Sequence, residues 1–147
     1  MDTAPRYLTF AEYSEAGGTL SEADFNYLAY EAESCIDWYT FNRLHNTSNI
    51  PEAVKRCEFY LIGLIQERLT ALGVYSPSSG SGSSSGVNKG IMSMSNDGVS
   101  TSFNVLSAKE SISAMSTEIG STIKRYLQGV TNELGRKLLY RGLYPNE

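Results

Sequence analysis

The sequence predicts a mainly α fold: a small bundle of about four helices with an inserted flexible loop and β-hairpin and an extended C-terminal tail. Three observations carry this. Apolar residues recur at steps of three and four in three long stretches, a Ser/Gly run followed by strand-like alternation separates the third helix from the fourth, and a short aromatic, basic segment follows the last helix stop. At 147 residues the chain has the length of one domain and can bury a core without disulfides or metal. The expected organisation is a single domain, 1–147, with a helical core over about 9–74 and 107–129, an inserted linker and hairpin over 76–105, and a docking tail over 130–147.

Thr9 is placed to cap a short helix from about Phe10 to Ala16, and Gly17-Gly18 ends it because glycine tolerates the left-handed C-cap conformation. Ser21 opens the second helix, with Glu22 and Asp24 in the first turn complementing the exposed amides. Its apolar residues Phe25, Leu28, Ala32, Cys35, Ile36 and Tyr39 line one face, and it should run to about Asn42. The polar stretch His45 to Asn49 reads as a loop. Pro51 at the first helical position starts the third helix, where a missing amide hydrogen costs nothing. Val54, Cys57, Leu61, Leu64, Ile65, Leu69 and Leu72 give this helix the strongest periodicity, and Gly73 stops it. A short loop between two long helices implies an antiparallel hairpin.

Between Ser76 and Gly86, seven of eleven residues are serine and three are glycine, a linker composition that buries nothing. Met92, Met94, Val99, Thr101, Phe103 and Val105 then alternate around Asn96-Asp97-Gly98, a hairpin signal. A two-stranded hairpin is marginal alone in water, so this one needs a neighbour. Residues 76 to 105 are therefore expected to gain order on assembly. Ser107 and Glu110 form a capping-box pattern before a fourth helix carrying Ile112, Met115, Ile119, Ile123, Tyr126 and Leu127. Gly120 inside it costs about 1 kcal/mol relative to alanine, which points to a close helix approach or a bend. Gly129 ends the helix. The cluster Leu138, Leu139, Tyr140, Leu143 and Tyr144 is too apolar for a solvated end, so the tail either folds back on the core or docks on another protein.

Composition excludes more than it assigns. No apolar run is long enough to span a membrane, and MDTAPRYLTF lacks the plan of a signal peptide, so the chain is expected to be made in a cytoplasm. Cys35 and Cys57 fall on apolar helix faces, as reduced core thiols do. Asn46-Thr47-Ser48 matches a glycosylation acceptor, but without secretion it is only a polar loop. His45, the only histidine, lacks ligands or triad partners at suitable spacing. Neither the Ser/Gly run nor Asp97 makes a phosphate or calcium loop, so no catalytic residue, cofactor or metal is expected. A hydrolase or transferase using His45 is the weakest alternative.

Charge is distributed unevenly within a net of −4: residues 1 to 50 hold eight acids against Arg6 and Arg43, whereas residues 107 to 147 hold six bases against four acids. These are either two solvated faces or surfaces that attract each other between copies. Lys124, Arg125, Arg136, Lys137 and Arg141 cluster at the basic end, so a regulatory helical module binding DNA through its C-terminal quarter is the alternative reading.

Four stretches carry a resemblance: Tyr7 to Leu44 (YLTFAEYSEAGGTLSEADFNYLAYEAESCIDWYTFNRL), Ile50 to Ile65 (IPEAVKRCEFYLIGLI), Ser95 to Phe103 (SNDGVSTSF), and IKRYLQG with LLYRG (Ile123 to Gly129, Leu138 to Gly142). In their order along the chain they resemble the head-tail connector, or adaptor, proteins of tailed double-stranded DNA bacteriophages. The resemblance implies a structural virion protein that forms a ring with itself, typically of twelve copies. That ring would sit between the portal protein and the stopper or tail-completion protein, extend the DNA channel and make only transient contact with passing double-stranded DNA. It implies no enzyme activity, cofactor or membrane, assembly in the host bacterial cytoplasm, and residence at the head-tail interface of the virion. The Ser/Gly run is longer than the family pattern, which bears on the reach of the hairpin. Met92, Met94, Asn96, Asp97, Val99 and Phe103 are the expected subunit or portal contacts. Leu139, Tyr140, Arg141, Leu143 and Tyr144 are the expected contacts to the stopper, the tail or a neighbouring copy.

Overall fold

A computed structural model describes residues 7–45, 47–76, 93–96, 99–102 and 108–144. The fold is mainly helical, with four helices: α1 (Phe10–Glu15), α2 (Glu22–Thr40), α3 (Glu52–Ala71) and α4 (Ala108–Leu127). Strands β1 (Ser93–Asn96) and β2 (Val99–Ser102) pair antiparallel, Met94 opposite Thr101 and Asn96 opposite Val99. That register is the expected hairpin; Asp97 and Gly98, the linker over 77–86, Met92, Phe103, Val105, Ser107 and Asn46 lie outside the described residues.

Thr9 caps α1 reciprocally with Glu12: the Glu12 amide donates to Thr9 Oγ1 at 3.3 Å while Glu12 Oε2 accepts from the Thr9 amide at 2.9 Å. Ser21 caps α2 without the backbone return bond, its hydroxyl accepting from the Asp24 amide at 3.2 Å and donating to Asp24 Oδ2 at 2.7 Å. Pro51 is the N-cap of α3 rather than its first residue, and its carbonyl accepts from the Val54 amide at 2.9 Å. Helix α2 ends two residues earlier than the periodicity implies. Phe41 and Asn42 both take left-handed backbone angles, φ 55° and 57°, and break the ladder without the glycine or proline that would announce it.

Helix α3 is the centre of the bundle, packing on α2 along one side and α4 along another. The Tyr27 ring stacks on Tyr75 at 6.1 Å, which sets the end of α3 beside the start of α2, antiparallel as the short connection requires. The periodic faces are buried: Phe25, Leu28, Ala32 and Ile36 from α2, Val54, Cys57, Leu61 and Ile65 from α3, Ile119, Ile123 and Leu127 from α4. Leu72 is 40 % exposed, so the α3 stripe stops one turn short of its expected end. Tyr7, Leu8, Leu44, Ile62 and Leu138 are also buried, outside the faces that periodicity marks. Gly120 is buried where α4 meets α2, and a methyl group there would overlap the Tyr39 hydroxyl. The glycine's helix cost is thus offset by a close approach.

Two contacts fasten the N-terminal part to this body. The Tyr7 amide donates to Glu33 Oε1 at 3.1 Å and its hydroxyl donates to Asp37 Oδ1, so the chain before α1 lies along α2. Lys55 Nζ on α3 donates to Glu12 Oε1, tying the cap of α1 to the bundle centre. The Lys55 bond, then the Thr9 amide and hydroxyl, lower the Glu12 pKa from its usual 4.5 to about 2. A lowered folded-state pKa contributes stability above pH 4.5 that is lost as pH falls through about 2. The melting temperature should therefore fall between these two pH values, and more shallowly in Glu12→Gln. Equal slopes for the two proteins in thermal unfolding monitored by circular dichroism would contradict this.

Candidate assembly surface

The left-handed pair at Phe41–Asn42 turns the chain so that Arg43 leaves α2 toward the C-terminal segment. Arg43 Nη1 donates to the carbonyls of Lys137 at 3.4 Å, Leu138 at 3.3 Å and Tyr140, and Nη2 donates to Gly142 O at 2.8 Å. The planar fork suits this task because its donors diverge at fixed angles toward several acceptors at once. The guanidinium also lies over the rings of Phe41 at 5.2 Å and Tyr144 at 5.1 Å. A left-handed phenylalanine costs on the order of 1–2 kcal/mol, which charge-assisted bonds of about 1.5–3 kcal/mol each offset.

The segment after α4 is built to meet that fork. The Leu138 amide donates to Val130 O at 3.0 Å, and Thr131 and Lys137 form an isolated antiparallel bridge. Asn132 Oδ1 accepts from the amides of Leu134 at 3.1 Å and Arg136 at 3.0 Å, closing the turn between them. Leu138 is fully buried and Leu139 packs against the core. Of the two readings of the tail, residues 130–144 fold back. They do so with their outer side exposed: Tyr140 is 50 % and Leu143 88 % accessible.

An open groove of about 760 Å³ lies between this segment, the end of α2 and α4, lined by Trp38, Phe41, Leu139, Lys124 and Arg141 together with Asp37, Tyr39 and Asn42. Trp38 is 75 % exposed and holds its indole edge-on to Tyr39 at 5.0 Å. An exposed tryptophan beside two cations is a composition that interface anchors share. Sequence reading passed over Trp38, Phe41 and Arg43. Trp38 falls off the 25-28-32-36 face, and that mismatch was the available signal; nothing in the sequence marks the Arg43 contacts, which span 94 to 99 positions.

Among the expected contact residues, Leu139 and Arg141 line the groove, and Tyr140 and Leu143 flank it on the same segment. Tyr144 works within the chain: its hydroxyl accepts from the Lys137 amide at 2.8 Å and its ring lies under Arg43 and Arg136. Met94, Asn96 and Val99 sit in the hairpin, whereas Met92, Asp97 and Phe103 lie outside the described residues. His45 is exposed. Cys57 is fully buried, and burial, with Glu58 beside it, pushes its thiol up to about 12; burial also raises Cys35. Among the described residues no group of three His, Cys, Asp or Glu is placed to hold a metal, and no helix is long and apolar enough to cross a membrane. No family model, curated protein or solved structure matches the chain.

Removing the fork in Arg43→Ala should cost about 2 kcal/mol in urea denaturation and speed amide exchange at Leu138 and Tyr140. Arg43→Lys should recover less than half, because an ammonium cannot reach all four carbonyls; full recovery would show that charge alone is sufficient. Cys57 should resist iodoacetamide in the folded protein and react in urea, read by intact mass.

Proposed function

We propose that this chain is a structural assembly protein of a tailed bacteriophage. It forms an oligomeric ring between the portal and the stopper or tail, extends the DNA channel and completes the head for tail attachment. The observation that carries the reading is the surface at the end of α2, where a fold-back segment pinned by one arginine presents Tyr140, Arg141 and Leu143 beside the exposed Trp38 and Phe41. Order imposed on an exposed aromatic segment lowers the entropy lost when a partner binds. The resemblance of four ordered stretches to connector proteins supports the same role, and the mild net charge of −4 suits a channel through which DNA must slide.

The competing reading, a module binding duplex DNA through its basic quarter, is weakened by where the cations go. Of Lys124, Arg125, Arg136, Lys137 and Arg141, Arg125 lies over the rings of Tyr60 and Tyr126 and Arg136 over that of Tyr144. The hairpin β1–β2 fits the connector role as a contact arm. It pairs with itself in a register that a neighbouring strand or helix could cover.

Native mass spectrometry of the chain mixed with portal protein, and peptide counting on purified particles, test the proposal. Binding to portal and about a dozen copies per particle are expected. Absence from particles together with no portal binding would overturn it. Replacing residues 76–105 by a Gly/Ser linker of equal length should leave the far-ultraviolet circular dichroism helical and reduce portal binding; binding unchanged by the replacement would remove the hairpin from the contact.

A further inference from the structure

Helix α4 separates two open grooves. Lys124 lines the first, described above, and Tyr126 lines the second, about 530 Å³, which also contains Phe59, Tyr60 and Glu15. Two residues apart on a helix, Lys124 and Tyr126 point about 200° from each other, so the grooves lie on opposite flanks. Their charge differs as well, the second flank balancing its acids with bases that include Arg125, whose guanidinium lies over the Tyr60 and Tyr126 rings at 5.8 and 5.3 Å. The first flank offers Lys124 and Arg141, and its one acid, Asp37, accepts from the Tyr7 hydroxyl. The second holds Glu12, Glu15 and Glu52 against Lys55 and Arg56, with Lys55 paired to Glu12 and Arg56 to Glu52 at 3.2 Å. Glu15 is the remaining acid, and it is exposed.

We infer that the two flanks join consecutive copies of this chain: Trp38 of one copy seats in the Phe59–Tyr60–Tyr126 groove of the next, with Lys124 and Arg141 facing Glu15. The inference rests on the ring reading and assigns its subunit contact. Complementary patches on opposite flanks make a heterologous contact, the kind that closes into a ring, whereas a two-fold dimer needs one patch to match itself. The protruding indole is the part that fits a groove of this size, and an aromatic anchor with an arginine beside it is what concentrates binding energy at interfaces. Glu15 set against Lys124 and Arg141 orients the approach.

Trp38 is the single tryptophan, so its fluorescence reads this contact directly. Sedimentation velocity and emission spectra of the full chain are recorded across a concentration series at low salt. Association is expected, accompanied by a blue shift of the emission and reduced acrylamide quenching. Trp38→Ala should weaken association roughly tenfold or more. Arg141→Glu and Glu15→Lys, both at exposed positions, should each weaken it, and association should return both when the two charge-reversed chains are mixed, alternating around the ring, and in the double variant carrying both changes. Association with unchanged emission, or indifferent to these substitutions, overturns the contact and leaves the connector role intact. A monomer throughout the series overturns it too. Failure of the connector role itself would show in the particle and portal measurements instead.

Discussion

The surface of this protein depends on Arg43. Its guanidinium gathers carbonyls from Lys137, Leu138, Tyr140 and Gly142 onto the end of α2, nearly a hundred residues earlier in the chain. Besides that fork, residues after α4 are held by the buried Leu138, by Val130 and Leu139 packed on the core, by the Thr131–Lys137 bridge and by Glu133, which accepts from the Asn49 amide. With the fork, the segment becomes a wall of a groove whose other wall is Trp38 and Phe41. The strained turn at Phe41 and Asn42 belongs to the same device, since a regular continuation of α2 would carry Arg43 away from these acceptors.

The bundle beneath is conventional in its physics and tolerant of this burden. Helix α3 buries one face against α2 and another against α4, and the core it shares is aliphatic with aromatic rings near α1: Tyr13 packs on Phe25 at 4.8 Å and on Phe59 at 5.3 Å. Such a core supplies stability through burial, to which the C-terminal segment adds Leu138 and the Arg43 contacts. The exposed rings of Trp38, Phe41 and Tyr140 lie outside that core. The proposed ring role asks for that division, a body that folds alone and a surface left for a neighbour.

The sequence made the helices legible because each buries a periodic face, and periodicity survives in the order of residues. Ser21, Thr9, Gly73 and Gly129 marked boundaries through local chemistry, and alternation around a turn sequence marked the hairpin whose strands pair Asn96 with Val99. The end of α2 was misplaced because the chain turns left-handed at Phe41 and Asn42, with no glycine or proline there to mark it. The tail stayed ambiguous for the same kind of reason: Leu138 and Tyr144 read equally well as core or as docking residues until the partners of Arg43 are known. Long-range contacts between single residues leave no period to read. The site is composed of such contacts, so the fold was far more visible than the surface.

The central claim, that this chain is a ring component at the junction of head and tail, is most directly tested by electron cryo-microscopy of assembled particles. The account expects a ring of four-helix bodies between portal and tail, with the end of α2 and the C-terminal segment buried against another protein. A junction without these bodies, or bodies whose Trp38 surface faces solvent, would contradict it.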